Sequence, residues 1–221
     1  MFKDLGRSET KMSSLAHAFF AHVEDTYKTY SVTKGIEMEM RVGRTKPNGT
    51  FEAAVPQVQW ENVMRGLSSY DGWEMTDHIK YTTFRGKRGV RLNEYHDSGD
   101  RVCVRKTNME KKDFPISTGH TIRFGASTEK PVKDVPVEFD DILDRERWSF
   151  VRKNLRIDLT ISTPDDKDAE DPFYEIELEF LPPYSMDRDI MFSMFYKVFD
   201  ILGMMMDPPP SSPLWAIQTQ P

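Results

Sequence analysis

The feature that most constrains the fold is a strictly alternating stretch, Phe173–Phe180, which reads Phe-Tyr-Glu-Ile-Glu-Leu-Glu-Phe. A period of two is typical of a β-strand, whose successive side chains point to opposite faces of the sheet. Large apolar residues share one face, and the other face carries Glu175, Glu177 and Glu179. Neighbouring glutamates on that face lie about 7 Å apart and repel each other unless a cation lies over them. The stretch is therefore either a strand with a solvated face or a row of carboxylates suited to a hard metal ion such as Mg²⁺.

A second strand of the same format is predicted near the start of the chain, at 36–43. Glu37, Glu39 and Arg41 alternate there with four apolar residues. Arg41 is expected to pair with a glutamate rather than to contact a substrate.

The rest of the pattern predicts a mainly β protein with three helices. Strands are predicted at 36–43, 77–84, 89–95, 101–107, 120–129, 144–151, 155–161 and 173–180. Helices with one apolar stripe are predicted at 13–30, 56–70 and 187–206. About eight antiparallel strands tend to close, since closure removes exposed edges. The expected fold class is α+β, mainly β: a closed antiparallel eight-stranded β-barrel with helices packed outside. This domain is expected to span 1–206, and the proline-rich segment 207–221 is expected to be a tail or linker.

The charged faces of these strands are sorted by sign. Acidic strands carry Glu37, Glu39, Glu175, Glu177 and Glu179, and basic strands carry Arg91, Arg145, Arg147 and Arg156. A solvent-facing surface does not require such sorting, whereas charges enclosed in a barrel must be paired or bind ions. A lumen with carboxylates on one side and guanidiniums on another suits a polyphosphate with a divalent metal.

The composition and the absence of certain motifs argue against several classes of protein. The net charge of −6 argues against non-specific nucleic-acid binding, although residues 80–106 carry eight Lys/Arg against three Asp/Glu. There is no G-x-x-x-x-G-K-[ST] loop, and the single cysteine, Cys103, does not begin a cysteine-based phosphatase loop. No apolar run could span a membrane, and the first residues lack a signal-peptide core. We therefore expect a soluble intracellular protein without a membrane partner.

The order of the charged strands in this sequence resembles that of the triphosphate tunnel metalloenzymes. Two Glu-x-Glu strands, at 37–39 and 175–179, carry the likeness. Between them, Arg145-x-Arg147-x-Ser149-Phe150 followed by Arg156-x-Asp158-x-Thr160 looks like the motif of the RNA 5′-triphosphatase branch, which acts in fungal, protozoal and large DNA-virus mRNA capping. The resemblance covers roughly residues 36–180.

The resemblance implies a role for each matching residue. Glu37, Glu39 and Glu179 would ligate Mg²⁺ or Mn²⁺, while Glu177, with Glu175, would orient the attacking water. Phosphate binding is implied for Arg91, Lys106, Arg145, Arg147 and Arg156. Asp158 would orient a neighbouring arginine, and further tunnel positions are Arg123, Glu129 and Thr160.

Two positions depart from the family pattern or fit it poorly. Leu143 occupies the first of three alternating positions that are basic in the family. Lys106 shares a face with Val102 and Val104, so Arg105 competes with it for the tunnel position.

The resemblance implies removal of the γ-phosphate from triphosphate-ended nascent mRNA, with nucleoside triphosphates as additional substrates. One alternative is a tunnel hydrolase for tripolyphosphate, thiamine triphosphate or nucleoside triphosphates. Another is a non-catalytic barrel that serves as a scaffold for a capping guanylyltransferase. The expected partners are triphosphate-ended RNA and a guanylyltransferase, in cis or in trans. A large DNA virus is a plausible source, with action in a cytoplasmic viral factory or a nucleus.

Overall fold

A computed structural model describes residues 3–116, 118–133, 138–165 and 171–206, with side chains from residue 13 onward. The strands are β1 (Ile36–Thr45), β2 (Phe51–Glu52), β3 (Ala54–Val55), β4 (Met75–Arg85), β5 (Val90–Tyr95), β6 (Arg101–Pro115), β7 (Thr121–Pro131), β8 (Asp141–Arg152), β9 (Leu155–Pro164) and β10 (Phe173–Phe180). The α-helices are α1 (Lys3–Tyr30), α2 (Gln57–Ser68) and α3 (Arg188–Met206), and a 3₁₀ turn spans Lys87–Gly89. None of the helices in the described residues is long and apolar enough to cross a membrane.

Eight of these strands close into an antiparallel barrel. Their order is β1-β7-β6-β5-β4-β8-β9-β10, and pairing of β1 with β10 completes the ring. Two short strands extend it, since β2 pairs with β1 and β3 pairs with β10. The predicted fold class is therefore confirmed, with two additional two-residue strands.

The hydrophobic core lies outside the barrel, between its outer face and the helices. Met38, Met40 and Val42 of β1 are fully buried there. The ring of Phe195 on α3 lies 4.8 Å from that of Phe180 and 5.4 Å from that of Phe124. Because the outward face of the barrel is covered in this way, the alternate residues of these strands face the lumen.

Two element boundaries differ substantially from the sequence prediction. Helix α1 begins at Lys3 rather than at 13, because no proline interrupts the residues that precede 13. Strand β6 continues to Pro115 rather than ending at 107. A β-bulge between Asn108 and Glu110 interrupts the period of two, so the alternation in the sequence does not predict that the strand continues.

Gly43 allows β2 to fold back closely against β1. A Cβ atom at this position would lie 2.1 Å from the carbonyl oxygen of Glu52 and 2.7 Å from the ring of Phe51. The Phe51 ring in turn lies 4.2 Å from the guanidinium of Arg123. Only glycine fits this approach, which places an aromatic ring against a charged lumen residue.

Candidate active site

The glutamate face of β10 lies inside the barrel. Ile176, Leu178 and Phe180 on the opposite face are at most 1% exposed and belong to the outer core. On the neighbouring strand β1, Glu39 lies opposite Glu179 in the register and Arg41 lies opposite Glu177. The two Glu-x-Glu strands predicted from the sequence are therefore adjacent and face one lumen.

Arg41 joins the two acidic strands. Its Nη2 atom lies 2.9 Å from Oε1 of Glu39 and 2.8 Å from Oε2 of Glu177. Burial lowers the pKa of Arg41, but these two carboxylates outweigh the burial and raise it. Arg41 is thus a permanent cation at the centre of the carboxylate row.

Lys106, rather than Arg105, faces the lumen. Lys106 Nζ lies 3.0 Å from Oε2 of Glu39 and 3.5 Å from Oε2 of Glu37. Arg105 alternates with it on the outer side of β6 and is exposed. The alternation that groups Lys106 with Val102 and Val104 is correct, because those valines also lie on the lumen face of β6.

Strands β8, β9 and β10 form a network of guanidiniums and carboxylates. Arg145 donates hydrogen bonds to Glu175 at 2.5 Å and to Ser162 Oγ at 3.0 Å. Arg156 donates to Glu179 at 2.5 Å and to Asp158 at 2.9 Å. Thr160 lies between these pairs, opposite Glu175 on β10 and Arg147 on β8.

Asp158 of β9 is bound by Ser149 of β8 and by Arg156 of its own strand. It is only 4% exposed, and its Oδ1 accepts a hydrogen bond of 2.7 Å from Ser149 Oγ. Its Oδ2 accepts from Arg156 Nε. Both oxygens of Asp158 are therefore engaged in ways that fix the position of the Arg156 guanidinium.

Three lumen arginines retain a buried donor without a partner among the described residues. These atoms are Nε of Arg41, Nε of Arg91 and Nε of Arg147. Arg91 is paired through Nη2 with Glu129, whereas the guanidinium of Arg147 lies 3.9 Å from the carboxylate of Asp158. A buried guanidinium donor left unpaired is costly, so an anionic oxygen supplied by a ligand would satisfy it.

Sequence reasoning missed Lys111, which the bulge in β6 directs into the lumen. Lys111 lies opposite Gly125 of β7. Asp113, two residues later on the same face of β6, accepts hydrogen bonds of 2.6 and 2.7 Å from Arg123. No ion pair is seen for Lys111 within the described part of the chain. Burial and the nearby Arg123 and Arg41 lower its pKa. Lys111 faces the lumen only because the bulge reverses which side chains of β6 point inward. The alternation of apolar and polar residues in the sequence gives no sign of the bulge.

The lumen glutamates differ in their pKa values. Burial and the nearby Glu177 raise the pKa of Glu39, while burial together with Glu177 and Glu37 raises that of Glu179 to about 7. Burial also acts on Glu177, but Arg41 outweighs it and holds the pKa of Glu177 below its ordinary value. Glu177 is therefore ionised, whereas Glu39 and Glu179 lack sufficient compensating positive charge.

The architecture is similar to that of solved RNA triphosphatases. The RNA triphosphatase Pct1 of S. pombe superposes with a TM-score of 0.68 at 16% identity, over 83% of this chain and 90% of that chain. Pct1 in complex with the Spt5 CTD gives 0.66 at 16% identity, over 83% and 91%. The RNA triphosphatase domain of a trifunctional mimivirus mRNA capping enzyme gives 0.56 at 15% identity, over 85% and 97%.

The chain has the RNA triphosphatase fold. The resemblance inferred from two Glu-x-Glu strands and the intervening arginines is thus confirmed at the level of the fold. No protein-family model matches the sequence, and no curated protein matches it.

Within this RNA triphosphatase fold, the acidic strands suit a divalent metal by their chemistry. Glu37, Glu39 and Glu179 offer the oxygen ligands that Mg²⁺ and Mn²⁺ prefer. Among the described residues, however, no group of three or more His, Cys, Asp or Glu side chains already has the spacing of a metal site. Lys106 and Arg156 instead occupy the carboxylate oxygens. The residues fit a metal that takes the place of these cations, and the raised pKa values of Glu39 and Glu179 indicate that added positive charge would be favourable there.

Proposed function

We propose that the protein is a metal-dependent polynucleotide 5′-triphosphatase that removes the γ-phosphate from triphosphate-ended RNA. The observation that carries this proposal is a carboxylate row beside lumen arginines, of which Arg91 and Arg147 each keep a buried Nε donor without a partner among the described residues. A triphosphate with a divalent cation supplies both missing partners, since its oxygens accept from arginine and its metal binds carboxylates. The shared fold with RNA triphosphatases supports the choice of RNA.

Glu37, Glu39 and Glu179 would hold the metal, Mg²⁺ or Mn²⁺. When bound, the metal would neutralise charge on the phosphate oxygens as a Lewis acid. Lys106 and Arg156, which pair with these glutamates in the structure, would then become available to the phosphates.

The protein's own residues position the reactants. Glu177 is ionised and held by Arg41, so it accepts a hydrogen bond from the attacking water and orients it toward the γ-phosphorus. Glu175, held by Arg145 and Ser162, lies next in the row. Cleavage of the β–γ bond transfers negative charge to the diphosphate leaving group.

Five basic residues are proposed to neutralise that charge: Arg91, Lys106, Arg145, Arg147 and Arg156. Asp158 fixes the direction of Arg156, and Glu129 does the same for Arg91. Arg123 and Thr160 complete the wall of the lumen. Such preorganised donors stabilise the transition state without reorganisation.

The direct test is phosphate release from RNA labelled at the γ-position. We expect Mg²⁺- or Mn²⁺-dependent release of inorganic phosphate, leaving a 5′-diphosphate end. Parallel reactions with tripolyphosphate, thiamine triphosphate and ATP separate an RNA enzyme from a small-molecule hydrolase by comparing kcat/KM. Absence of release from every substrate with either metal would contradict catalysis and favour the scaffold alternative.

Lys111→Ala is expected to raise KM for triphosphate-ended RNA about tenfold with a smaller change in kcat. Lys111 lies among lumen cations without an ion pair in the described residues, so a polyanion is its natural partner. The measurement is steady-state kinetics, with Lys112→Ala as the matched control. Lys112 is the next residue and contacts His22 outside the lumen. Equal effects of the two substitutions would contradict the assignment of Lys111.

Metal affinity is expected to depend on pH below about 7. The pKa of Glu179 is about 7, so a proton competes with the metal as the pH falls through that value. The apparent metal Kd should rise about tenfold per pH unit below 7 and level off above 8. Since the fold raises this pKa, the metal-free protein should also lose stability as the pH rises from 4.5 to 7. Calorimetric titration with Mn²⁺ between pH 5.5 and 8.5 measures the affinity, and a flat profile would contradict the role of Glu179.

Partners and location follow from the same proposal. The mimivirus relative in fold is one domain of a trifunctional capping enzyme, and Pct1 has been solved with the Spt5 CTD. A capping guanylyltransferase, in cis or in trans, is the partner that would consume a 5′-diphosphate RNA end. Nucleoside triphosphates share the triphosphate and are proposed as secondary substrates. Action in a viral factory in the cytoplasm or in a nucleus would place the enzyme where transcripts begin.

A further inference from the structure

A second concave site lies on the outer face of the barrel, away from the lumen. It is a groove of about 640 Å³ between α2, α3 and the turn that joins β8 to β9. Its apolar floor is formed by Leu67, Leu155, Ile157, Met194 and Ile201. These residues face away from the charged network, so the groove has no part in binding a triphosphate.

The groove leaves large apolar side chains at its edges in contact with water. Ile190 is 52% exposed and Tyr70 is 39% exposed. Gly66 provides space there, because a Cβ atom at its position would lie 2.7 Å from Sδ of Met204. An apolar concavity with exposed apolar edges is typical of a surface that binds another segment or protein.

We propose that the groove binds the chain's own segment 214–217, Leu-Trp-Ala-Ile, in cis. This segment belongs to the fifteen residues that follow α3, and it contains all the large apolar side chains among them. It carries no charge, which matches the apolar floor. The groove and the segment are therefore complementary in chemistry, and both belong to one chain.

The length of the connection allows this contact. The groove follows α3 from Ile190 to Met204, about 21 Å at the helical rise of 1.5 Å per residue. The chain leaves α3 at Met206, at one end of the groove. Seven residues, 207–213, precede the segment, and in an extended proline-rich conformation they reach about 22 Å. Every point of the groove is thus within reach of Leu214.

The composition of the connection favours binding in cis. Four of its seven residues are prolines, which restrict the unbound chain and so reduce the entropy lost on docking. A short tether also holds the segment at a high effective concentration near the groove. Trp215 supplies a large apolar surface with only two rotatable side-chain bonds.

The test is ¹⁹F NMR of the full 221-residue chain labelled with 5-fluorotryptophan. The chain has four tryptophans, and loss of one resonance in Trp215→Phe assigns Trp215. We expect its resonance to show little H₂O/D₂O shift. In Ile190→Glu the resonance should move to the position of a solvent-exposed tryptophan. It should not move in the control Val32→Glu, because Val32 is 80% exposed and lies outside the groove. Trp215→Ala should also shift the resonance of Trp73, which lines the groove, and lower Tm by about 4 °C.

Three outcomes would overturn the proposal. A Trp215 resonance with the full solvent shift means that the segment is not bound. A Trp215 resonance that is protected from solvent but unchanged by Ile190→Glu means that the segment binds at another surface. Protection that disappears on dilution, together with a dimer in sedimentation analysis, assigns the groove to a second copy of the chain. Circular dichroism of both glutamate variants checks that the fold persists.

Discussion

Glu39→Gln is expected to reduce γ-phosphate release by about a thousandfold, on the order of 4 kcal/mol in the barrier. Glu39 lies at the centre of the carboxylate row, where burial and Glu177 raise its pKa. Glutamine keeps the shape of the side chain but removes the charge that would bind the metal. The measurement is single-turnover phosphate release from γ-labelled RNA at saturating Mn²⁺.

The fold should survive this substitution because both cations that contact Glu39 keep another partner. Arg41 remains 2.8 Å from Glu177, and Lys106 remains 3.5 Å from Glu37. Loss of Glu39 also relieves repulsion with Glu177. Glu39→Gln should therefore unfold at a temperature no lower than the parent protein.

The matched control for Glu39→Gln is Glu24→Gln. Glu24 has nearly the same side-chain exposure as Glu39, 14% against 13%, and also contacts two cations, Lys28 and Arg188. It lies on α1, outside the barrel. Full activity is expected of Glu24→Gln. If Glu39→Gln keeps more than a tenth of the parent activity, the proposed metal role of Glu39 is wrong.

Arg147→Lys is expected to reduce kcat/KM about a hundredfold even though it conserves charge. The Nε atom of Arg147 is buried without a partner in the described residues, and its guanidinium lies 5.4 Å from the ring centre of Tyr81. This placement suits a planar donor that binds two phosphate oxygens. Lysine offers only a point charge, so it loses the second hydrogen bond.

Arg188→Lys is the control for this substitution. Arg188 also presents its guanidinium to a carboxylate, that of Glu24, but 67% of its side chain is exposed on the protein surface. A change in kcat/KM smaller than twofold is expected there. Equal activity of Arg147→Lys and the parent protein would show that Arg147 contributes charge alone.

The barrel could be predicted from the sequence because period-two alternation determines which side of each strand is apolar. In Phe173–Phe180, every apolar residue after Tyr174 packs into the outer core and every glutamate faces the lumen. The number of such strands then favours closure. These are local properties of the sequence, so they do not require knowledge of distant contacts.

The pairing inside the lumen could not be predicted, because it depends on how the strands are staggered around the closed barrel. Arg145 pairs with Glu175 across β9, and Lys106 of β6 reaches Glu39 of β1 across β7. The bulge after Asn108 is equally hidden, and with it the inward direction of Lys111. Both depend on the stagger of neighbouring strands rather than on local alternation.

Ion pairs within the lumen compensate the charges that the barrel encloses. Burying a charge is costly unless it is paired, and each lumen carboxylate named above has at least one cation near it. The same pairs must rearrange when a metal and a triphosphate enter. Binding and catalysis are therefore expected to exchange internal partners for ligand partners.

Anomalous diffraction from crystals soaked in Mn²⁺ tests most directly whether the lumen is a metal–triphosphate site. The predicted result is one anomalous peak in the lumen, bound by oxygens of Glu37, Glu39 and Glu179, with Lys106 and Arg156 released from those oxygens. Lumen density unchanged at high Mn²⁺, or a peak bound by other carboxylates, would contradict the assignment.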